Sequence, residues 1–238
     1  MKLINLLEMP YLALHSDLED IKPHDKSKKS AKKEYKLNNG FSIYLDTKFS
    51  FANSEILCIT DDSKETKSTI HVIGEVEMAE LNPSHFRFTS GGTFLNEMIN
   101  TYADDIYVIE IAQINEKYMS KGIISNVYLE IAKHSIIVSD NLQYEGGKAL
   151  WKKLAKIKPN NIKCLVYSEK ENGRVFEDEK GIIDYNGSNI DDSEIWTSKY
   201  VRLMLIPEQY YSRCLSKSTV YSQTSLPSKS TARRSLVA

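Results

Sequence analysis

The chain has 238 residues, 41% of them hydrophobic and 26% charged, with a formal net charge of -1. That length and balance suit one soluble globular core with an appended segment. The near-zero charge argues against global attraction to nucleic acid or to anionic membrane. Cys58, Cys164 and Cys214 are odd in number and form no CxxC pair, and the five histidines show no HxxxH spacing. The expectation is a reducing compartment with no structural metal, the cytoplasm by default. No run approaches the roughly 20 apolar residues a membrane helix needs.

The first 14 residues read as a short amphipathic helix broken near Pro10, which either packs on the domain or docks a partner. The run from Lys26 to Lys33 carries almost no apolar side chain and reads as a solvated linker. It lacks the interleaved aromatics that stack bases, which again argues against nucleic acid. Residues 1–36 are thus expected to be a helix and basic linker ahead of a domain spanning 37–207.

Ser42–Asp46, Glu55–Thr60 and Ile70–Met78 have strand character, with the polar segment Asp61–Ser68 as a loop between the last two. Gly91-Gly92 leads into a predicted helix over Phe94–Tyr102. Ile106–Ile111 is apolar at nearly every position, which predicts a central strand covered on both sides. After Gly122, Ile123, Ile124, Val127, Tyr128, Ile131 and Ala132 form one stripe of an amphipathic helix. Ser135–Val138 reads as a short buried strand. Gly146-Gly147 precedes a helix with the stripe Leu150, Trp151, Leu154 and Ala155, ended before Pro159, and Lys163–Tyr167 is a further strand. The acidic stretch 172–195 reads as an inserted loop that could hold a hairpin through Gly181–Tyr185. Tyr200–Ile206 is the last strand, and 208–238 reads as a largely disordered tail. The fold class expected is α/β, with a mixed, mostly antiparallel sheet flanked by helices.

Chemistry concentrates between Tyr107 and His134. A strand there feeds through Glu116–Gly122 into a helix N-terminus, where backbone N–H groups and the helix dipole favour an anion such as a pyrophosphate. Gly122 lets the backbone approach a ligand and Lys121 adds positive charge. Ser125 either donates to phosphates or caps the first turn.

The stretch Tyr107-Val-Ile-Glu-Ile-Ala-Gln-Ile-Asn-Glu-Lys-Tyr-Met-Ser-Lys-Gly-Ile-Ile-Ser resembles the signature region of GNAT superfamily acetyltransferases. Residues Ile136–Leu154, with Ser-Asp-x-x-Gln before Gly-Gly and Leu-Trp, resemble a subset of that family met in bacteriophages and mobile elements. The resemblance implies a GNAT-like fold that takes acetyl-coenzyme A as co-substrate and acetylates an amine acceptor. It places Lys121, Gly122, Ile123 and Ser125 at the pyrophosphate and the backbone of Ala112 and Gln113 at the thioester. The resemblance also places a base on this strand, where Glu110 is either a base with its pKa raised by desolvation in an apolar strand or a carboxylate that faces solvent or pairs with a lysine. Tyr144, just ahead of Gly146, is either the acid or a packing residue. Met119, Ile124 and Trp151 depart from the family pattern. They favour an alternative, a GNAT-fold phage protein without strong catalysis that acts as a virion or host-interaction component with a protein partner.

Overall fold

The computed structural model describes residues 21–48, 54–81, 93–140, 145–169, 174–198 and 200–224. The N-terminal stretch read as a helix therefore lies outside the described residues. The chain is a mixed α/β protein built on one open, mostly antiparallel sheet. In chain order the elements are β1 (His24–Ser27), β2 (Ala31–Lys36), β3 (Phe41–Asp46), β4 (Ser54–Asp61), β5 (Thr69–Glu80), α1 (Thr93–Tyr102), β6 (Ile106–Ile114), α2 (Ile123–Ile131), β7 (Ile136–Val138), α3 (Glu145–Ile157), β8 (Ile162–Ser168), β9 (Arg174–Val175), β10 (Glu177–Asp178), β11 (Gly181–Ile182), α4 (Asp192–Trp196), β12 (Val201–Pro207) and α5 (Glu208–Thr224).

The main sheet runs β2-β3-β4-β5-β6-β7-β12-β8-β9, with β1 beside the first residues of β5. Neighbours pair antiparallel except β6 and β7, which are parallel. A parallel pair needs a crossover, and α2 supplies it. The last strand, β12, inserts between β7 and β8 and is antiparallel to both. β10 and β11 form a separate hairpin inside the acidic excursion.

Two faces of the sheet bury separate cores. On one, Ile109, Ala112 and Ile114 of β6 pack with Ile123, Ile124, Val127 and Tyr128 of α2 and with Leu150, Trp151 and Leu154 of α3. On the other, Ile106, Ile136, Val138 and Met204 pack beneath α1 and α5. The predicted apolar stripes of α2 and α3 are thus their buried sides. Gly146 and Gly147 fall inside α3, which starts at Glu145, rather than ahead of it.

Two stretches read as irregular are ordered parts of the domain. The basic run is not a linker, because it crosses β1, a single 3₁₀ turn and the start of β2. Its cations pair with carboxylates of neighbouring segments, Lys26 with Asp46 and Lys28 with Glu65, so charge takes the place of apolar burial. Nor are residues 208–224 irregular: they form α5, which lies along α1, while the rest of the expected tail, 225–238, lies outside the described residues. Tyr210 stacks on Tyr102 with centroids 4.1 Å apart, Phe94 meets Tyr211 at 5.6 Å, and Cys214 is buried.

Candidate functional site at the parting of two strands

β6 and β7 pair over only three positions, Ile106–Ile136, Tyr107–Ile137 and Val108–Val138. β6 then continues to Ile114, while β7 turns to other partners. Ser139 N–H donates to the Leu203 carbonyl at 2.9 Å, and Leu203 N–H donates to Ser139 Oγ at 3.1 Å. The buried Arg202 donates to the Ser139 carbonyl at 3.0 Å and pairs with Glu169 at 2.6 Å. The chain thus stays bonded to β12 through Ser139, one residue beyond its last pair with β6, and the pairing of the two parallel strands ends at Val108 and Val138.

A bulge in β6 widens the irregularity. Glu77 pairs with Ile111 and Met78 with Ile109, which leaves Glu110 as the extra residue. Before it, Tyr107 and Ile109 face the α2 core; after it, Ala112 and Ile114 do. One inserted residue therefore resets the phase of the strand. It also exposes Glu110, which corrects the expectation of a carboxylate desolvated within an apolar strand. The half-buried carboxylate beside it is Glu77. Burial, and then the negative charges of Glu110 and Glu75, raise the Glu77 pKa above its ordinary value. Sequence reasoning missed Glu77 because only the cross-strand register brings it to Glu110.

The loop between β6 and α2 is fastened at Tyr118. This buried side chain donates to Asp61 at 2.9 Å, accepts from Lys64 at 2.8 Å and meets Phe41 edge-on at 6.2 Å. Burial alone would raise the Asp61 pKa, but hydrogen bonds from Ser63 and Tyr118 and the Lys64 charge hold it below the usual carboxylate range. Asn115 anchors the other end of the loop, its side chain donating to the Ile21 carbonyl at 2.8 Å.

At the mouth of α2, Gly122 is the residue before the first turn, with φ 70° and ψ 17°. Ser120 also has a positive φ, 68°, a conformation a non-glycine residue adopts only under constraint. Lys121 is exposed and lies over the Tyr118 ring at 4.8 Å. A second cation comes from α3: Lys153 Nζ lies 3.7 Å from the point where a Cβ on Gly122 would stand. Neither lysine pairs with a carboxylate among the described residues. Lys153 sits 31 residues from Gly122 in sequence, and no local motif marks it.

The remaining predicted positions divide. Ala112 and Gln113 lie beyond the last β6–β7 pair, on the stretch of β6 that β7 leaves. Ile123 is buried and contributes only backbone at the mouth. Ser125 is a correction. Its side chain is 1% exposed and turned into the core, so it neither caps the first turn nor reaches the mouth. Ser125 Oγ and Tyr128 Oη are buried without a hydrogen-bond partner among the described residues. Ile124 is fully buried and leaves the mouth clear. Trp151 is buried and meets Tyr128 edge-on at 6.0 Å. Tyr144 lies outside the described residues.

Among the described residues, the arrangement offers a stretch of β6 without a partner on its β7 side, a helix N-terminus and two lysines near that N-terminus. It suits an elongated ligand with amides at one end and phosphates at the other. Among the described residues no three His, Cys, Asp or Glu side chains come together to hold a metal, and no helix is long and apolar enough to cross a membrane. Comparison with family models, with curated proteins and with solved structures returned no match.

Proposed function

We propose that the chain is a GNAT-like acyltransferase that binds acetyl-coenzyme A where β6 and β7 part and transfers the acetyl group to an amine. The parting of the two parallel strands beside the α2 N-terminus carries this reading. The pantetheine amides would pair with the open edge of β6 and the pyrophosphate would lie on the N–H groups at Gly122 and Ile123. Lys121 and Lys153 would supply the charge that an arginine at Met119 would otherwise provide.

The acceptor nitrogen attacks the thioester carbonyl carbon, the C–S bond breaks and an amide forms. A backbone N–H near Ala112 or Gln113 steadies the developing oxyanion. The amine proton passes to Glu77, whose pKa is raised by burial and by the neighbouring negative charges of Glu110 and Glu75. The sulfur leaves as a thiolate, with an intrinsic pKa of about 8.5 that makes a dedicated acid dispensable. That removes the difficulty posed by Trp151.

Calorimetric titration with acetyl-coenzyme A tests the proposal. Saturable binding is expected, weakened about five- to tenfold by Lys153→Gln and again by Lys121→Gln, each removing one charge-assisted contact at a partly wet site. Absence of heat at millimolar ligand would overturn it and leave a binding role for the fold, the alternative that Met119 and Trp151 favour.

A further inference from the structure

A second cavity lies on the α2 side of the sheet at the other end of β6. Its volume is 230 Å³, and Tyr107 of β6 and Ile131 at the end of α2 help to line it. From Ile123 to Ile131 the helix rises about 12 Å, so this cavity is separate from the mouth at Gly122. Leu45, Leu57, Met78 and Ile131 give it an apolar floor. Tyr35 and Tyr107 add two aromatic rings, and Tyr35 is braced by a parallel stack on His134 with centroids 5.2 Å apart.

Charge in the cavity is unbalanced. Glu34 and Glu55 line it with a single cation, Lys32, and Lys32 is already held by Glu34 at 3.0 Å. Glu55 is half-buried and has no hydrogen-bond or ion-pair partner among the described residues. Burial, with the added repulsion of Glu34 and Glu80 and only Lys32 opposing, raises the Glu55 pKa. Tyr107 is pushed up to about 12, first by burial and then by Glu55 and Glu80. A bound anion would worsen every one of these contacts. A divalent metal lacks a third ligand, since no cluster of three acidic, His or Cys groups exists among the described residues. A positive charge carried on an apolar body would relieve the carboxylates, rest against the tyrosine rings and cover the aliphatic floor. The volume is below that of pockets for drug-sized ligands, which suits a molecule of metabolite size.

We propose that this cavity is a binding site for a small organic cation, an amine or quaternary ammonium with an apolar group attached. The charge is held by Glu55 and by the rings of Tyr35 and Tyr107, and the apolar group lies on Leu57 and Met78. The site is independent of the acyl-coenzyme A reading.

The test uses the full chain at neutral pH with benzyltrimethylammonium as probe, and phenylacetate and benzyl alcohol as anionic and neutral controls. Binding followed by calorimetry is expected for the cation alone. Glu55→Gln should weaken it about tenfold, as should Tyr107→Leu, with coenzyme A binding unchanged in both. Glu55→Gln removes an unpaired half-buried charge and should melt no lower than the parent. Should that variant fail to fold, Tyr107→Leu carries the same comparison. Equal binding of benzyl alcohol would reduce the cavity to an apolar hole and overturn the proposal. So would cation binding that neither substitution weakens, or no binding at millimolar probe.

Discussion

Replacing Gly122 by alanine separates the backbone role of this residue from its role at the ligand. The cost in stability comes from conformation alone, because the added methyl meets only Lys153 Nζ at 3.7 Å, an ordinary contact with the end of a flexible chain. At φ 70° an L-residue loses about 1–2 kcal/mol relative to the right-handed region. The more restricted unfolded chain returns about 0.4–1 kcal/mol. The net loss lies between about 0 and 1.6 kcal/mol, about 0.8 at mid-range, or a melting temperature lower by up to about 6 °C for a chain of this size. Gly122→Asn should lose less, because asparagine visits the left-handed region more readily. Urea denaturation of the three proteins measures both differences as midpoint shifts at constant slope. Acetyl-coenzyme A affinity should follow a different order. On the proposed reading both side chains would stand between the helix N-terminus and a phosphate, so the bulkier asparagine should bind no better than alanine. An alanine variant more stable than the parent would refute the left-handed assignment. Unchanged affinity in both variants would refute the close approach of ligand to this backbone.

Gly74→Ala should be the more damaging glycine change, since its Cβ would stand 2.6 Å from the Gln113 carbonyl oxygen and 3.1 Å from Ile114 Cα. β5 and β6 would have to separate, and a loss of about 2–3 kcal/mol in urea unfolding is expected. Because the folded Glu77 pKa lies above its unfolded value, the folded state holds that proton more tightly. Its contribution is fully present below the unfolded pKa and is lost as pH rises through the folded one. Glu77→Gln should flatten that part of the stability–pH curve, whereas an unchanged slope would show that Glu77 is not the perturbed group. Truncation after Pro207 removes α5 and uncovers Phe94, Tyr102 and the core around them. Loss of cooperative unfolding is expected, and a truncated chain that melts like the parent would contradict the packing of α5 on α1.

The helices were legible where burial is one-sided. In α2 and α3 the apolar residues recur with the helical period, and those stripes are the sides packed on the sheet. β5 showed itself by alternation and β8 and β12 by continuous apolar runs, because both faces of the latter two are covered. β1 and β2 were illegible because their side chains are satisfied by ion pairs with distant segments, which leave no hydrophobic period. A turn with positive φ at both Asn39 and Gly40 joins β2 to β3. That Asn-Gly pair was the local signal that a strand should precede Phe41.

For the site, the sequence by itself determined the strand, the loop, the glycine and the helix start, all within one continuous stretch from Ile106 to Ile131. Local chemistry fixes such features: residue period, a left-handed glycine and a helix dipole act over a few residues. Tertiary structure alone decided that β6 and β7 pair only as far as Val108 and Val138, and that β12, more than 60 residues later, takes the other edge of β7. It also decided that Glu110 is the extra residue of a bulge, a property of two strands in register. The same holds for Lys153 at the α2 mouth and for Glu34, Glu55 and Tyr107 around one cavity. Charges and rings from separate strands meet only when the sheet closes between them, and no spacing along the chain encodes that meeting.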